Sequence, residues 1–174
     1  LVGSNLAWCH PVLHQRIATV KAARPNMRVI NVDPRRTATS ELADIHMRIR
    51  PDGDIALFNG LLVHLAETGK IDLPYVQEHV DGCHSAIEKA RETDPLTSGL
   101  SAPDLEAFYT LWAETQKVVT VYSQGVNQSA FGSDKVNAIL NCHLATGRIG
   151  KAGCGPFSVT GQPNAMGGRE VGGL

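Results

Sequence analysis

Hydrophobic positions divide the chain into short apolar runs and longer stretches with helical spacing. The opening LVGSN predicts the end of a buried strand followed by a turn, and residues 28–32 (RVINV) form a β-branched run that predicts a second strand. Between them, Pro11–Ala23 places its apolar residues on one side of a helix. This strand–helix–strand order predicts two neighbouring parallel strands.

The same alternation continues along the chain. Residues 46–50 predict a third strand, and a turn at 51–54 leads into a strong helix at 55–68, with Asp54 as its cap. Residues 123–132 are expected to be a polar loop. The glycine-rich stretch from Gly147 onward is expected to be an ordered loop, whose glycines let its backbone come close to a neighbouring group. The other predicted elements are helices at 73–80, 84–91, 102–116 and 134–146 and a strand at 118–122.

Composition narrows the class of protein. The chain has 174 residues, of which 43% are hydrophobic and 19% charged, which is typical of one globular domain. A formal net charge of -1 argues against a nucleic-acid partner, and no apolar run is long enough to predict a membrane span. Leu1 resembles the inside of a strand and the sequence stops among glycines, so we expect a fragment of a longer protein.

Cysteine usage bears on compartment and on metal binding. Cys9, Cys83, Cys142 and Cys154 form neither a CxxC pair nor a zinc-like spacing. The first ten residues also lack the charged start and apolar stretch of an export signal. We therefore expect reduced thiols in a cytoplasmic protein, with no metal ligand among them.

Three loops follow the three predicted strands: Gly3–Asn5, residues 33–37 and residues 51–54. In a parallel α/β sheet such loops form one ligand crevice. The GxGxxG fingerprint is missing, which disfavours a nicotinamide dinucleotide. An aspartate after the third strand suits guanine, and Arg35 and Arg36 suit phosphates. The alternative interpretation is a turn residue for Asp33 and a helix cap for Asp54. For Arg35 and Arg36 it is a solvated basic turn, which is the commoner fate of paired arginines.

Three segments resemble the molybdopterin oxidoreductase family: VGSNLAWCHPV, then INVDPRRTATSELAD with IRPDGDIALFNGLL, then the stretch from YSQGVNQSAFGSDKV to GREVGGL. The resemblance covers nearly the whole chain and is least informative between about residues 67 and 114. The motifs SQGVNQS, NCHLATGRIGK and TGQPNAMGGREVG are similar to those of assimilatory nitrate reductase catalytic subunits. Formate dehydrogenases share the general layout, with different residues in the last loop.

The resemblance implies an α/β fold: an incomplete dinucleotide-binding-like parallel sheet with flanking helices, from a larger multidomain enzyme that reduces nitrate to nitrite. Residues 1–70 would form the strand–helix–strand cofactor-binding part, 71–117 a helical part, and 118–174 the lining of the cofactor and substrate path. The implied cofactors are molybdenum bis(molybdopterin guanine dinucleotide) and a 4Fe–4S cluster. The implied electron donor protein is ferredoxin, flavodoxin or an NADH-linked flavoprotein subunit. None of the cysteines matches a family metal ligand, so the isolated piece is expected to be inactive.

The resemblance also assigns individual residues. Arg169 and Gln124 are the candidate catalytic residues, and many relatives, including periplasmic nitrate reductases, have Met at the position of Gln124. Gln162, Asn164 and Arg169 are implied to line the substrate path. The implied cofactor-binding residues are Val2, Gly3, Ser4, Asn5, Asp33, Pro34, Arg35, Arg36, Thr37, Asp52, Gly53, Asp54, Gln124 and Gln128.

Two other interpretations stay open at this point. A formate dehydrogenase or another molybdopterin oxidoreductase would share the general layout, with different residues in the last loop. A non-catalytic nucleotide-binding module would share the crevice but need no metal. A cysteine cluster motif and a molybdenum-ligating cysteine elsewhere in the full gene would distinguish the enzymes from the module.

Overall fold

A computed structural model describes residues 1–159 of the chain. Four short strands are present: β1 (Ile30–Val32), β2 (Ile45–Met47), β3 (Val119–Tyr122) and β4 (Gly155–Ser158). β1 pairs in parallel with β2, beginning with Ile30 opposite Ile45, and β3 pairs in parallel with β4, beginning with Val119 opposite Gly155.

Val2 joins these two pairs into one parallel sheet. It forms parallel bridges to Val32 on one side and to Tyr122 on the other. Its N–H donates to the Val121 carbonyl at 2.8 Å, and the neighbouring Gly3 N–H donates to the Val32 carbonyl at 3.0 Å. The spatial order is therefore β2, β1, the Val2 segment, β3, β4. The predicted α/β class and the parallel pairing of the first two strands are confirmed.

Eight α-helices surround the sheet in the described part of the chain, together with 3-10 helices at Ala38–Leu42 and Pro95–Ser98. The α-helices are α1 (Leu6–Cys9), α2 (Pro11–Ala23), α3 (Asp54–Glu67), α4 (Leu73–His79), α5 (Cys83–Arg91), α6 (Ala102–Glu114), α7 (Gln124–Asn127) and α8 (Gly132–Ala145). Across residues 1–159, no helix combines the length and hydropathy needed to cross a bilayer.

Helix α3 is the centre of the core because its apolar residues surround it on most sides. Leu57, Leu61 and Leu65 are fully buried, and the helix packs against α5, α6 and α8. Gly60 leaves room for the hydroxyl of Tyr109, which donates to the Leu57 carbonyl at 3.0 Å. Burying each leucine in this way stabilises the fold by about 1.5–3 kcal/mol.

A buried histidine lies under β3 on the α8 side. His143 Nε2 and Thr120 Oγ1 are hydrogen-bonded at 2.8 Å, and the His143 ring packs edge-on against Trp112. Arg148 lies 4.0 Å from the Trp112 ring centre and donates to the Trp112 carbonyl. Burial, together with the positive charge of Arg148, lowers the pKa of His143 to about 3. The ring is therefore neutral at physiological pH.

Three local predictions were wrong. Gly53, not Asp54, is the N-cap of α3, so the Asp54 carboxylate is free for another partner. The predicted polar loop after β3 contains the short helix α7, and the glycine-rich stretch contains strand β4. Helix α2 has the predicted bounds, although none of its residues is buried in the described structure: Val12 is 69% exposed.

Candidate functional site

The turns that follow the strands lie along one edge of the sheet, here called the carboxyl edge. All pairings are parallel, so the carboxyl ends of the strands point the same way. The three loops expected to form a crevice follow the Val2 segment, β1 and β2 on this edge. A fourth turn, Ser123–Gly125, follows β3. The chain runs first to one side of Val2 and later to the other, and ligands bind in the crevice where a parallel sheet reverses in this way.

Two glycines meet at this reversal point. The Gly125 N–H donates to the Gly3 carbonyl at 3.0 Å. A Cβ on Gly125 would lie 2.7 Å from the Gly3 Cα, and a Cβ on Gly3 would lie 2.9 Å from the Gly125 Cα. Gly3 also has a φ of +53°, a region that other residues rarely adopt. The two turns therefore pack backbone against backbone at this point, with no room for a side chain on either glycine.

Ser4 places an unused hydroxyl beside this contact. The residue is 1% exposed, and its Oγ has no hydrogen-bond partner within residues 1–159. A buried hydroxyl without a partner costs about 1–3 kcal/mol, so a ligand oxygen that accepted from it would recover that free energy. Across the crevice, the Ser123 hydroxyl donates to the side-chain oxygen of Gln124.

The first and second turns are held together by side chains of the 3-10 helix Ala38–Leu42. Thr39 Oγ1 donates to Asn5 Oδ1 at 3.1 Å and accepts from the Ala7 N–H at 3.0 Å. Ser40 Oγ donates to Asn31 Oδ1 at 2.7 Å and accepts from the Thr37 N–H at 3.0 Å. Asn5 and Thr37 are thus fixed relative to one another.

The turn after β1 presents its two arginines to solvent. Asp33 Oδ1 accepts from the Arg35 N–H at 2.8 Å, which shapes the turn, and the Pro34 carbonyl accepts from Arg48 Nε at 3.3 Å. Arg35 and Arg36 are exposed and form no ion pair with any described residue. Their guanidinium groups remain available for an anion, and phosphate is a good geometric match.

The turn after β2 contains an ion-pair cluster that the sequence did not reveal. Lys135 Nζ, from α8, lies 2.7 Å from Asp52 Oδ1 and 3.0 Å from Asp54 Oδ2. Burial raises the pKa of Asp54, and Lys135 opposes that rise. Burial lowers the pKa of Lys135, but the hydrogen bonds to the two carboxylates outweigh it and hold the pKa above its usual value. Gly53 lies between the aspartates with no room for a Cβ, which would be 2.8 Å from the Ser98 carbonyl.

The remaining candidates divide into described and undescribed residues. Gln124 is half-buried at the start of α7, and Gln128 is exposed just after it. Gln162, Asn164 and Arg169 lie outside the described residues. In the described part of the chain, no three His, Cys, Asp or Glu side chains come together as a metal site, and all four cysteines are free thiols.

The chain is similar to known proteins along its whole length. The family model described as molybdopterin oxidoreductase matches residues 1–174. A nitrate reductase of Shewanella frigidimarina is 50% identical over 100% of this chain and 19% of its own length. A nitrate reductase of Klebsiella oxytoca is 49% identical over 100% of this chain and 20% of its own length. The chain therefore spans about a fifth of each of these relatives.

A solved structure shows the same fold at low sequence identity. Acetylene hydratase from Pelobacter acetylenicus superposes with a TM-score of 0.73 over 87% of this chain and 21% of that one, at 19% identity. This likeness concerns the fold alone.

Proposed function

The chain belongs to the molybdopterin oxidoreductase family, and we propose that it forms part of the catalytic subunit of an assimilatory nitrate reductase. The observation that carries this proposal is its likeness, along its entire length, to proteins named nitrate reductase, at about half identity. The SQGVNQS and TGQPNAMGGREVG motifs favour the assimilatory branch. The proposal includes a cofactor-binding part at residues 1–70, a helical part at 71–117, and a part that lines the cofactor and substrate path at 118–174.

The carboxyl edge fits the dinucleotide part of a molybdenum bis(molybdopterin guanine dinucleotide). The Gly3–Gly125 contact leaves no room for a side chain at either position, and the buried Ser4 hydroxyl lacks a hydrogen-bond partner within residues 1–159. Ser4 and the free guanidinium groups of Arg35 and Arg36 suit phosphate oxygens. Asp52, whose side chain is 64% exposed, suits the N–H donors of guanine.

When bound, this cofactor supplies the two-electron, two-proton chemistry that converts nitrate to nitrite and water. The chain's own residues bind and orient it. Ser4 donates a hydrogen bond, the turn after β1 contributes positive charge, and the turn after β2 contributes an acceptor. The half-buried Gln124, at the start of α7, is our candidate for lining the pterin.

The substrate path is proposed from the family motif. Arg169, with Gln162 and Asn164, would hold nitrate, because a planar guanidinium presents paired donors to a planar anion. A fixed positive charge also offsets charge that develops as the N–O bond breaks. We further propose a 4Fe–4S cluster bound by residues outside this sequence. A ferredoxin, flavodoxin or NADH-linked flavoprotein would reduce it in the cytoplasm.

The full-length subunit tests the proposal. We expect stoichiometric molybdenum and iron, guanine nucleotide on acid release, and nitrate-dependent oxidation of a reduced viologen. Formate oxidation without nitrate reduction would support a formate dehydrogenase instead. Bound nucleotide without molybdenum would support the non-catalytic module.

The isolated 174-residue chain provides the complementary test. We expect it to contain no stoichiometric molybdenum or iron and to reduce no nitrate, because it supplies one side of the cofactor site. Tight molybdenum binding with nitrate reduction by this chain alone would overturn the assignment of ligands.

A further inference from the structure

Lys135 is a buried cation whose hydrogen-bonding capacity is used entirely within the protein. It is 2% exposed, and its Nζ lies 2.7 Å from Asp52 Oδ1, 3.0 Å from Asp54 Oδ2 and 3.5 Å from the Gly125 carbonyl. An ammonium group has three donors, and these three contacts account for all of them. Lys135 therefore has no donor left for a phosphate, and it is not itself a ligand.

The three contacts come from three separate parts of the carboxyl edge. Asp52 is in the turn after β2, Asp54 is the first residue of α3, and Gly125 is in α7 against Gly3. Lys135 thus connects the outer turn of the sheet to the reversal point at its centre.

The two carboxylates differ in what they have left to offer. Asp54 is 6% exposed, and its carboxylate pairs with Lys135 inside the protein. Asp52 keeps 64% of its side chain exposed while one oxygen accepts from Lys135. Its backbone is also held in the left-handed region, at a φ of +64°, which a non-glycine residue adopts only when its surroundings favour it. The exposed oxygen of Asp52 is therefore oriented by a buried partner.

We propose that Lys135 is a positioning residue that fixes the Asp52 carboxylate for the guanine end of the bound dinucleotide and joins that turn to the Gly3–Gly125 contact. This inference rests on the proposed function, since it presumes that a guanine dinucleotide occupies the carboxyl edge. It assigns Asp52 as the guanine acceptor and Asp54 as an internal counter-charge for Lys135. The sequence alone implied both aspartates as cofactor-binding residues.

The experiment uses the full-length subunit, purified from cells that make the cofactor, with guanine nucleotide released by acid and counted per polypeptide. Lys135→Met should reduce retained nucleotide by about tenfold or more, as expected for losing an oriented hydrogen bond to a charged group. Lys135→Arg should retain more than Lys135→Met. Asp52→Asn should lose nucleotide with a smaller drop in melting temperature than Lys135→Met, because Asp54 still pairs with Lys135 at 3.0 Å.

Two controls separate positioning from general stability. Leu65→Ala removes buried volume from α3 without touching the turn, so it lowers the melting temperature while retaining nucleotide. Lys21→Met removes a lysine that pairs with Asp44 at 3.1 Å, just before β2 and so at the opposite edge of the sheet. It should also retain nucleotide.

The outcomes are distinguishable. Wild-type subunit that releases no guanine nucleotide would overturn the proposed cofactor itself. Wild-type subunit that releases it, with equal amounts from Asp52→Asn, would overturn the positioning role alone, even if Lys135→Met does not fold. Equal losses in Lys135→Met, Lys135→Arg and Leu65→Ala at matched melting temperature would also overturn it.

Discussion

Replacing Ser4 with alanine should change stability and cofactor binding in opposite directions. The Ser4 hydroxyl is buried and has no hydrogen-bond partner within residues 1–159, so no protein hydrogen bond offsets the cost of its burial. Removing it should stabilise the 174-residue chain by about 1 kcal/mol, within the 1–3 kcal/mol cost of a buried unpaired group. For a domain of this size that corresponds to a rise in melting temperature of about 2–4 °C.

Ser40 is the matched control because it is equally buried but fully bonded. It is 2% exposed, and its hydroxyl both donates to Asn31 and accepts from Thr37. Ser40→Ala should therefore lower the melting temperature of the same chain. Circular dichroism melts of the two variants, measured side by side, compare the two hydroxyls directly.

The cofactor arm of the prediction is measured in the full-length subunit. If Ser4 donates to a phosphate oxygen, Ser4→Ala should weaken retention of the dinucleotide by roughly 10–100-fold, the value of a hydrogen bond to a charged group. Guanine nucleotide released by acid gives the readout. A drop in melting temperature for Ser4→Ala would refute the claim that the hydroxyl is unpaired, and unchanged nucleotide content would refute its role as a donor.

Three further predictions concern pH, packing and substrate. The folded chain keeps His143 neutral down to about pH 3, whereas the unfolded chain binds a proton below about pH 6.5. The free energy of unfolding should therefore fall as pH drops below 6.5, by up to about 1.4 kcal/mol per pH unit. Urea unfolding at pH 7 and pH 5 should show a smaller loss of this free energy in His143→Gln than in the wild type. Gly125→Ala places a Cβ 2.7 Å from the Gly3 Cα, so melting temperature and nucleotide content should both fall, with overpacking costing about 1–3 kcal/mol. In a fully molybdenum-loaded enzyme, Arg169→Ala should raise KM for nitrate and lower kcat in steady-state assays, and Arg169→Lys should partly restore binding.

Each of these has a result that counts against it. An identical pH slope in His143→Gln would mean that other groups cause the acid sensitivity. Wild-type melting temperature and nucleotide content in Gly125→Ala would mean that the two turns separate easily. Unchanged kcat and KM in Arg169→Ala would move the search for the nitrate-binding residues to Gln124, Gln162 and Asn164.

Local signals were sufficient for the longer helices and for the parallel order of the first strands, but not for the four-residue helices α1 and α7. Pro11–Ala23 was predicted with the bounds that the structure has, and α8 to within two residues. Proline at the start, apolar spacing and a glycine beyond the end are properties of the segment itself. The three turns on one edge followed from parallel topology, which needs only the order of elements.

Features set by distant partners were not predictable in this way. Strand β4 has the sequence GPFS, which has no strand pattern, and it is extended because its backbone pairs with β3. Lys135 looks like an ordinary surface residue of a helix, since its partners Asp52 and Asp54 are about eighty residues away. The unpaired Ser4 hydroxyl is likewise a property of the packed edge, invisible in the motif GSN.

The central place of Val2 in the sheet sets the timing of folding during synthesis. Val2 pairs with β1, which lies about thirty residues after it in the sequence. On its other side it pairs with Tyr122, which is made about 120 residues after Val2. At about 5–20 residues per second, the ribosome needs roughly 6–24 s to make that stretch. Throughout this interval the nascent chain holds an open backbone edge at its centre. Slow codons or chaperone contacts between α2 and β3 would therefore influence yield more than the same events after β4.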